Sequence, residues 1–134
     1  ETVRAIINAA ETLGCWRLYD RAPRPQWSDG AVTLLGDACH PMLPFMAQGA
    51  AMALEDAVHL GAKVRATPDD LATAFRNFST ERWQRVTRVQ DQSTRNGAVF
   101  HWDGARDVAR DIVLKLTPER RLLMRMDWLY AHPV

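Results

Sequence analysis

The sequence has 134 residues, 47% of them apolar and 25% charged, with a formal net charge of +1. That length holds one domain or part of one, and the composition suits a packed core. The near-balanced charge excludes a basic footprint for nucleic acid, and no apolar stretch approaches the ~20 residues of a membrane-spanning helix.

The opening Glu1-Thr2-Val3-Arg4 carries no initiator Met, and no apolar signal region follows it. The chain is therefore expected to be a segment of a longer protein. Val3, Ile6, Ile7 and Ala10 recur at helical spacing, with Gly14 as a stop. Trp16-Arg17-Leu18-Tyr19-Asp20 alternates with period two and predicts a short edge strand. Arg21 to Gly30, with Pro23, Pro25 and Ser28-Asp29-Gly30, predicts a loop. Val32-Thr33-Leu34-Leu35 predicts a strand covered on both faces. Such a strand needs neighbours on both edges, and the sequence offers at most one. This too points to the end of a larger α/β protein.

The remainder predicts helices. From Gln48 to about Val64, Met52, Ala53, Ala57, Leu60 and Val64 fall toward one side, and Glu55, His59 and Lys63 form a polar row on the other. Thr67-Pro68-Asp69-Asp70 predicts a helix start with Thr67 as N-cap, followed by a buried stripe of Leu71, Ala74, Phe75 and Phe78. Arg82 to Arg95 continues that helix, and Asn96-Gly97 is expected to end it. Ala105, Val108, Ala109, Ile112, Val113 and Leu116 predict an amphipathic helix. Thr117-Pro118-Glu119 starts a last helix through Leu122, Leu123, Met126, Leu129 and Tyr130. Cys15 and Cys39 form neither a disulfide framework nor a metal-site spacing, so a reduced, cytoplasmic setting is the default.

The chemistry concentrates after the Val32 strand, in Gly36-Asp37-Ala38-Cys39-His40-Pro41, then Gln48-Gly49-Ala50-Ala51-Met52, then Leu54-Glu55-Asp56-Ala57. Asp37 falls at the carboxyl end of a strand, the end that faces the ligand crevice of an open α/β sheet. An ionised carboxylate there accepts hydrogen bonds from hydroxyl groups such as those of ribose or ribitol; capping its own turn is the competing role. Gly49, Ala50 and Ala51 at a helix start let a ligand approach free N–H groups that favour negative charge, or simply let two helices pack closely. His40, between Cys39 and Pro41, is expected to orient the loop by hydrogen bonding. Pro41, Met42, Leu43, Pro44, Phe45 and Met46 form an apolar loop that suits either the core or the wall of a pocket for a flat ligand. Glu55 and Asp56 suit the positive end of the helix dipole.

In this order, these residues resemble the second FAD motif of the FAD-dependent aromatic hydroxylases. These are the single-component flavoprotein monooxygenases of the para-hydroxybenzoate hydroxylase type. The likeness is strongest to the branch that holds salicylate hydroxylase, 3-hydroxybenzoate 6-hydroxylase and 6-hydroxynicotinate 3-monooxygenase. Trp27 before the strand, Met46-Ala47-Gln48-Gly49-Ala50 and the late Asp127-Trp128-Leu129-Tyr130 support it. The resemblance implies the carboxy-terminal, mostly helical portion of a two-domain, Rossmann-like α/β FAD-binding fold. Residues 1–28 would end the substrate domain, 29–66 would form the FAD-binding segment and 67–134 the carboxy-terminal helices.

The resemblance also implies hydroxylation of a small aromatic or heteroaromatic acid with NADH or NADPH and O₂, through a flavin C4a-hydroperoxide. Gly36 and Asp37 would serve the ribityl chain, Gln48, Gly49, Ala50, Ala51 and Met52 the flavin pyrimidine, and Pro41 to Met46 the isoalloxazine and the substrate. A homodimer is compatible with it. The amino-terminal Gly-x-Gly-x-x-Gly motif and the central Asp-Gly motif of the family are absent from these 134 residues. The chain alone is therefore expected to be incomplete and inactive. Pro44 and Phe45 stand where some relatives carry a polar side chain, so any proton-relay residue must come from elsewhere and no catalytic residue is assigned. Asp37, Cys39 and His40 lie too close in sequence for a usual zinc arrangement, so no metal ligand is expected. Two other readings remain: a non-catalytic helical interaction module, motivated by the helices after Thr67, and a flavin epoxidase or halogenase of the same fold.

Overall fold

The computed structural model describes residues 2–131. Helix α1 (Thr2–Asn8) is followed by irregular chain to a two-strand antiparallel hairpin, β1 (Ser28–Asp29) and β2 (Val32–Thr33). Short 3₁₀ turns at Gly36–Ala38 and Pro44–Met46 lead into α2 (Gly49–Ala66). The long helix α3 (Leu71–Phe100) packs back along α2. Helices α4 (Gly104–Leu116), α5 (Glu119–Met124) and α6 (Asp127–Tyr130) close the chain.

The core lies between α2, α3 and the loop that joins β2 to α2. Trp27, Cys39, Met46, Met52, Phe78, Val86, Val89 and Leu129 form one buried cluster. Met52, Phe78, Val86 and Val89 are fully buried, and each such side chain contributes about 1.5–3 kcal/mol of apolar transfer free energy. Trp27 packs tilted against Phe78 and His40, with ring centroids 5.7 and 5.5 Å away. Its indole N–H donates to the Arg24 carbonyl at 2.6 Å.

Several expectations need correction. The alternating Trp16–Asp20 segment is irregular and exposed, because a strand without a neighbour leaves its backbone groups unpaired. Val32–Thr33 does pair, but only with Ser28–Asp29, and Val32 is 68% exposed rather than covered. The cap of α3 is Asp70, whose carboxylate accepts the Thr73 N–H at 2.9 Å; Thr67 instead ends α2, donating its hydroxyl to the Lys63 carbonyl. Asn96-Gly97 does not end α3, which runs three residues further to Phe100. A Cβ at Gly97 would lie 2.6 Å from two ring carbons of Phe45, so the glycine is there to admit that ring. The amphipathic α4 forms, yet none of its residues is buried, and Val108, Ile112, Val113 and Leu116 are exposed. The final helix is split into α5 and α6 at Arg125–Met126.

Candidate functional site

The Gly36–Pro41 loop is tied down by its own backbone. The N–H groups of Cys39 and His40 both donate to the Gly36 carbonyl at 3.0 Å, and the Cys39 thiol reaches the same oxygen. Gly36 has φ +57°, and a Cβ on it would press to 3.2 Å from the Ala53 Cβ of α2. The position thus needs glycine for its left-handed backbone and for close approach to the helix. The loop that results turns the Asp37 carboxylate outward, exposed, beside the start of α2: a Cβ on Gly49 would lie 3.8 Å from Asp37 Oδ1.

The start of α2 has no side-chain cap among the described residues. The Met52 N–H donates to the Gln48 carbonyl at 2.9 Å, and those of Gly49, Ala50 and Ala51 have no acceptor among the described residues. Gln48, Gly49 and Ala51 are partly exposed and Ala50 is exposed. Met52 differs: its side chain is wholly buried and its N–H is used, so it belongs to the core. An exposed carboxylate next to three free N–H groups suits a ligand with hydroxyls at one end and an electron-rich edge at the other.

Beneath this surface lies a buried ionic network that the sequence reading did not contain. His40 Nε2 is 2.5 Å from Asp56 Oδ2, and that same oxygen accepts the Gly36 N–H at 3.3 Å. Arg82 of α3 donates through Nε to Asp56 Oδ1 and through one Nη to Glu55, each at 2.7 Å. Arg85 makes two further bonds to Glu55 at 2.7 Å and donates to the carbonyls of Trp128 and Leu129. His40, Asp56 and Arg82 are at most 1% exposed. The two acids therefore do more than favour the helix dipole: they anchor α3 and α6 to the loop. Glu55, His59 and Lys63 do form a row, but it faces α3, where Glu81 pairs with both His59 and Lys63.

Burial pushes the Asp56 carboxyl up, but the hydrogen bonds and charges of His40 and Arg82 outweigh it and hold the group below the usual carboxylate range. Glu55 behaves alike: burial raises it, and Arg85 and Arg82 together bring it below its ordinary value. An ionised Asp56 requires the hydrogen on His40 Nε2, and His40 Nδ1 is buried with no partner among the described residues. Cys39, His40 and Asp56 offer ligand atoms within 4.8 Å of one another. The guanidinium of Arg82 already occupies Asp56, and burial pushes the Cys39 thiol up to about 12, so the donor set suits a hydrogen-bonded core rather than a cation.

Pro41 to Met46 lie across α3, with Pro41, Met42, Leu43 and Phe45 partly buried, Pro44 exposed and Met46 buried. Three polar side chains of α3 bond their carbonyls: Gln90 to Pro41 at 2.9 Å, Ser93 to Leu43 at 2.5 Å and Asn96 to Phe45 at 3.2 Å. Sequence reasoning missed Arg82, Arg85, Gln90, Ser93 and Asn96. The available signal was spacing: Phe78, Arg82, Val86, Val89, Ser93 and Gly97 continue one helical stripe, all of it buried.

Residues 9–93, more than half of the chain, match the family described as "FAD binding domain". The chain belongs to that family. A 3-hydroxybenzoate 6-hydroxylase of Polaromonas naphthalenivorans is 39% identical over 96% of this chain and 32% of its own length. A 6-hydroxynicotinate 3-monooxygenase of Bordetella bronchiseptica is 50% identical over 71% of this chain and 25% of its own. Among solved family structures, a variant of HpxO from Klebsiella pneumoniae complexed with FAD superposes with a TM-score of 0.83. It is 31% identical and is matched over 98% of this chain and 35% of that one. The chain thus spans between a quarter and about a third of the length of these relatives. The expected resemblance to aromatic hydroxylases and the expected α/β FAD-binding fold are both borne out.

Proposed function

We propose that this chain forms the ribityl and pyrimidine side of the FAD site of an aromatic monooxygenase. The observation that carries the proposal is the exposed Asp37 carboxylate beside the uncapped start of α2. Asp37 accepts hydrogen bonds from cofactor hydroxyls, and the N–H groups of Gly49, Ala50 and Ala51 favour negative charge on the ring edge that faces them. Gly36 holds the turn that aims Asp37, and Gln48 flanks the helix start. When bound, FAD supplies the two-electron chemistry that couples a reduced nicotinamide and O₂ to ring hydroxylation.

Loop residues Pro41 to Met46 carry no titratable side chain. Their role is to wall the reaction space and exclude water, not to move a proton. The substrate class favoured is a small hydroxylated aromatic or heteroaromatic acid, by analogy with the 3-hydroxybenzoate and 6-hydroxynicotinate enzymes that resemble this chain. The Gly-x-Gly-x-x-Gly motif that would seat the adenosine half is not among these 134 residues, so the 134-residue chain alone is expected to be colourless. In the FAD-loaded holoprotein, Asp37→Ala should weaken FAD retention about ten-fold or more, the equivalent of charge-assisted hydrogen bonds worth ~1.5–3 kcal/mol. Unchanged flavin occupancy after dialysis would remove Asp37 from the site.

A further inference from the structure

Helix α3 grips the Pro41–Met46 loop in a regular way. The carbonyls of Pro41, Leu43 and Phe45 all accept hydrogen bonds from α3, although the chain turns into the 3₁₀ segment Pro44–Met46 between the last two. Their donors, Gln90, Ser93 and Asn96, stand at i, i+3 and i+6 on one helix face. The short Ser93 sits in the middle at 2.5 Å, and the longer Gln90 and Asn96 reach the two ends.

The ends are fixed further. Gln90 also reaches the Arg21 carbonyl, and Arg21 donates to the Cys39 carbonyl at 2.6 Å. Asn96 is itself held by Gln92 at 2.9 Å. One helical step on, Gly97 provides the floor for the Phe45 ring, which meets Phe100 and His101 edge-on. Ser93 is fully buried and Gln90 is 6% exposed. The three donors meet the need of loop carbonyls that would otherwise lie against α3 without partners.

We propose that Gln90, Ser93, Asn96 and Gly97 are positioning residues that set the height and register of the Pro41–Met46 loop against bound flavin. They act through three carbonyls and one ring seat, and touch neither cofactor nor substrate. The proposal rests on the FAD reading above.

The test uses the FAD-loaded holoprotein and three readouts: FAD affinity, the visible flavin band with and without an aromatic acid, and the fraction of oxidised NADH recovered as hydroxylated product. Ser93→Ala should leave FAD affinity within about three-fold. It should shift the flavin band and lower the coupled fraction roughly five-fold, the rate equivalent of one hydrogen bond. Ser93→Thr, which keeps the hydroxyl, should restore both. Gln90→Met and Asn96→Leu should act in the same direction more weakly, and they keep the idea testable if Ser93→Ala fails to fold. Gly97→Ala should displace Phe45 and shift the band without removing any hydrogen bond. Wild-type spectra and coupling in folded Ser93→Ala, Gln90→Met and Asn96→Leu would overturn the proposal alone. A wild-type intact protein that takes up no flavin when offered FAD would overturn the FAD reading itself and the proposal with it.

Discussion

Two regions of this molecule use the same kinds of residue to opposite effect. Between α2 and α3, charged side chains are buried and fully engaged: Arg82 bridges Asp56 and Glu55, and Arg85 bridges Glu55 and the carbonyls before Ala131. In α1, the Leu13–Tyr19 segment and α4, apolar side chains are exposed: Ile6 is 67%, Trp16 85% and Leu116 78% accessible. Hydropathy alone ranks these regions the wrong way round. The α2–α3 unit contains its own partners, so its charges are paired and its loop is fixed. Among the described residues, the apolar stripes of α1 and α4 have no cover, so their amphipathicity is written in the sequence without being used.

The largest expected effect breaks the ionic side of this contrast. Arg82→Met should destabilise the fold by about 3–5 kcal/mol, because it leaves Asp56 and part of Glu55 buried without a counter-charge. Chemical denaturation measures it. A loss below about 1 kcal/mol would mean that the network is dispensable. On the apolar side, Ile112→Gln should change stability by less than about 0.5 kcal/mol, since the side chain already faces solvent. A loss comparable with that of Arg82→Met would show that α4 is covered after all.

Acid should sharpen the comparison with an intermediate effect. Asp56 and Glu55 are held below their ordinary values in the folded chain, so the stability they add is present above about pH 4. It is lost as the pH falls through their lower folded values. Melting curves from pH 6 down to pH 2 should show this loss in the wild type and a weaker dependence in Asp56→Asn. An identical pH dependence in both would contradict the assigned role of Asp56.

The sequence made the site surface more legible than its support. Gly36, Gly49 and the helix that follows left local signals, a glycine and a run of small residues, whereas the strand expected to run to Leu35 is only Val32–Thr33 and Asp37 lies in the 3₁₀ turn beyond it. The helix α2 ends within two residues of Val64, where its periodicity fades. The support was not readable, because Arg82, Gln90 and Ser93 look like a solvated face until their partners fold onto them: Asp56 of α2, 26 residues earlier, for Arg82, and the loop 49 and 50 residues earlier for Gln90 and Ser93. Asn96-Gly97 carried a helix-stop signal that tertiary packing overrode: the glycine is a seat for Phe45. The Trp16–Asp20 alternation was a true period-two pattern without a strand to pair with.

The most direct measurement of the central claim is amide hydrogen exchange in the intact protein, which carries the adenosine-binding motif, with and without FAD. Exchange should slow on adding FAD across Gly36–Met52, most at Gly49, Ala50 and Ala51, and stay unchanged across Gly104–Leu116. Slowing in the α4 segment with none between Gly36 and Met52 would contradict the assignment of the flavin to the start of α2.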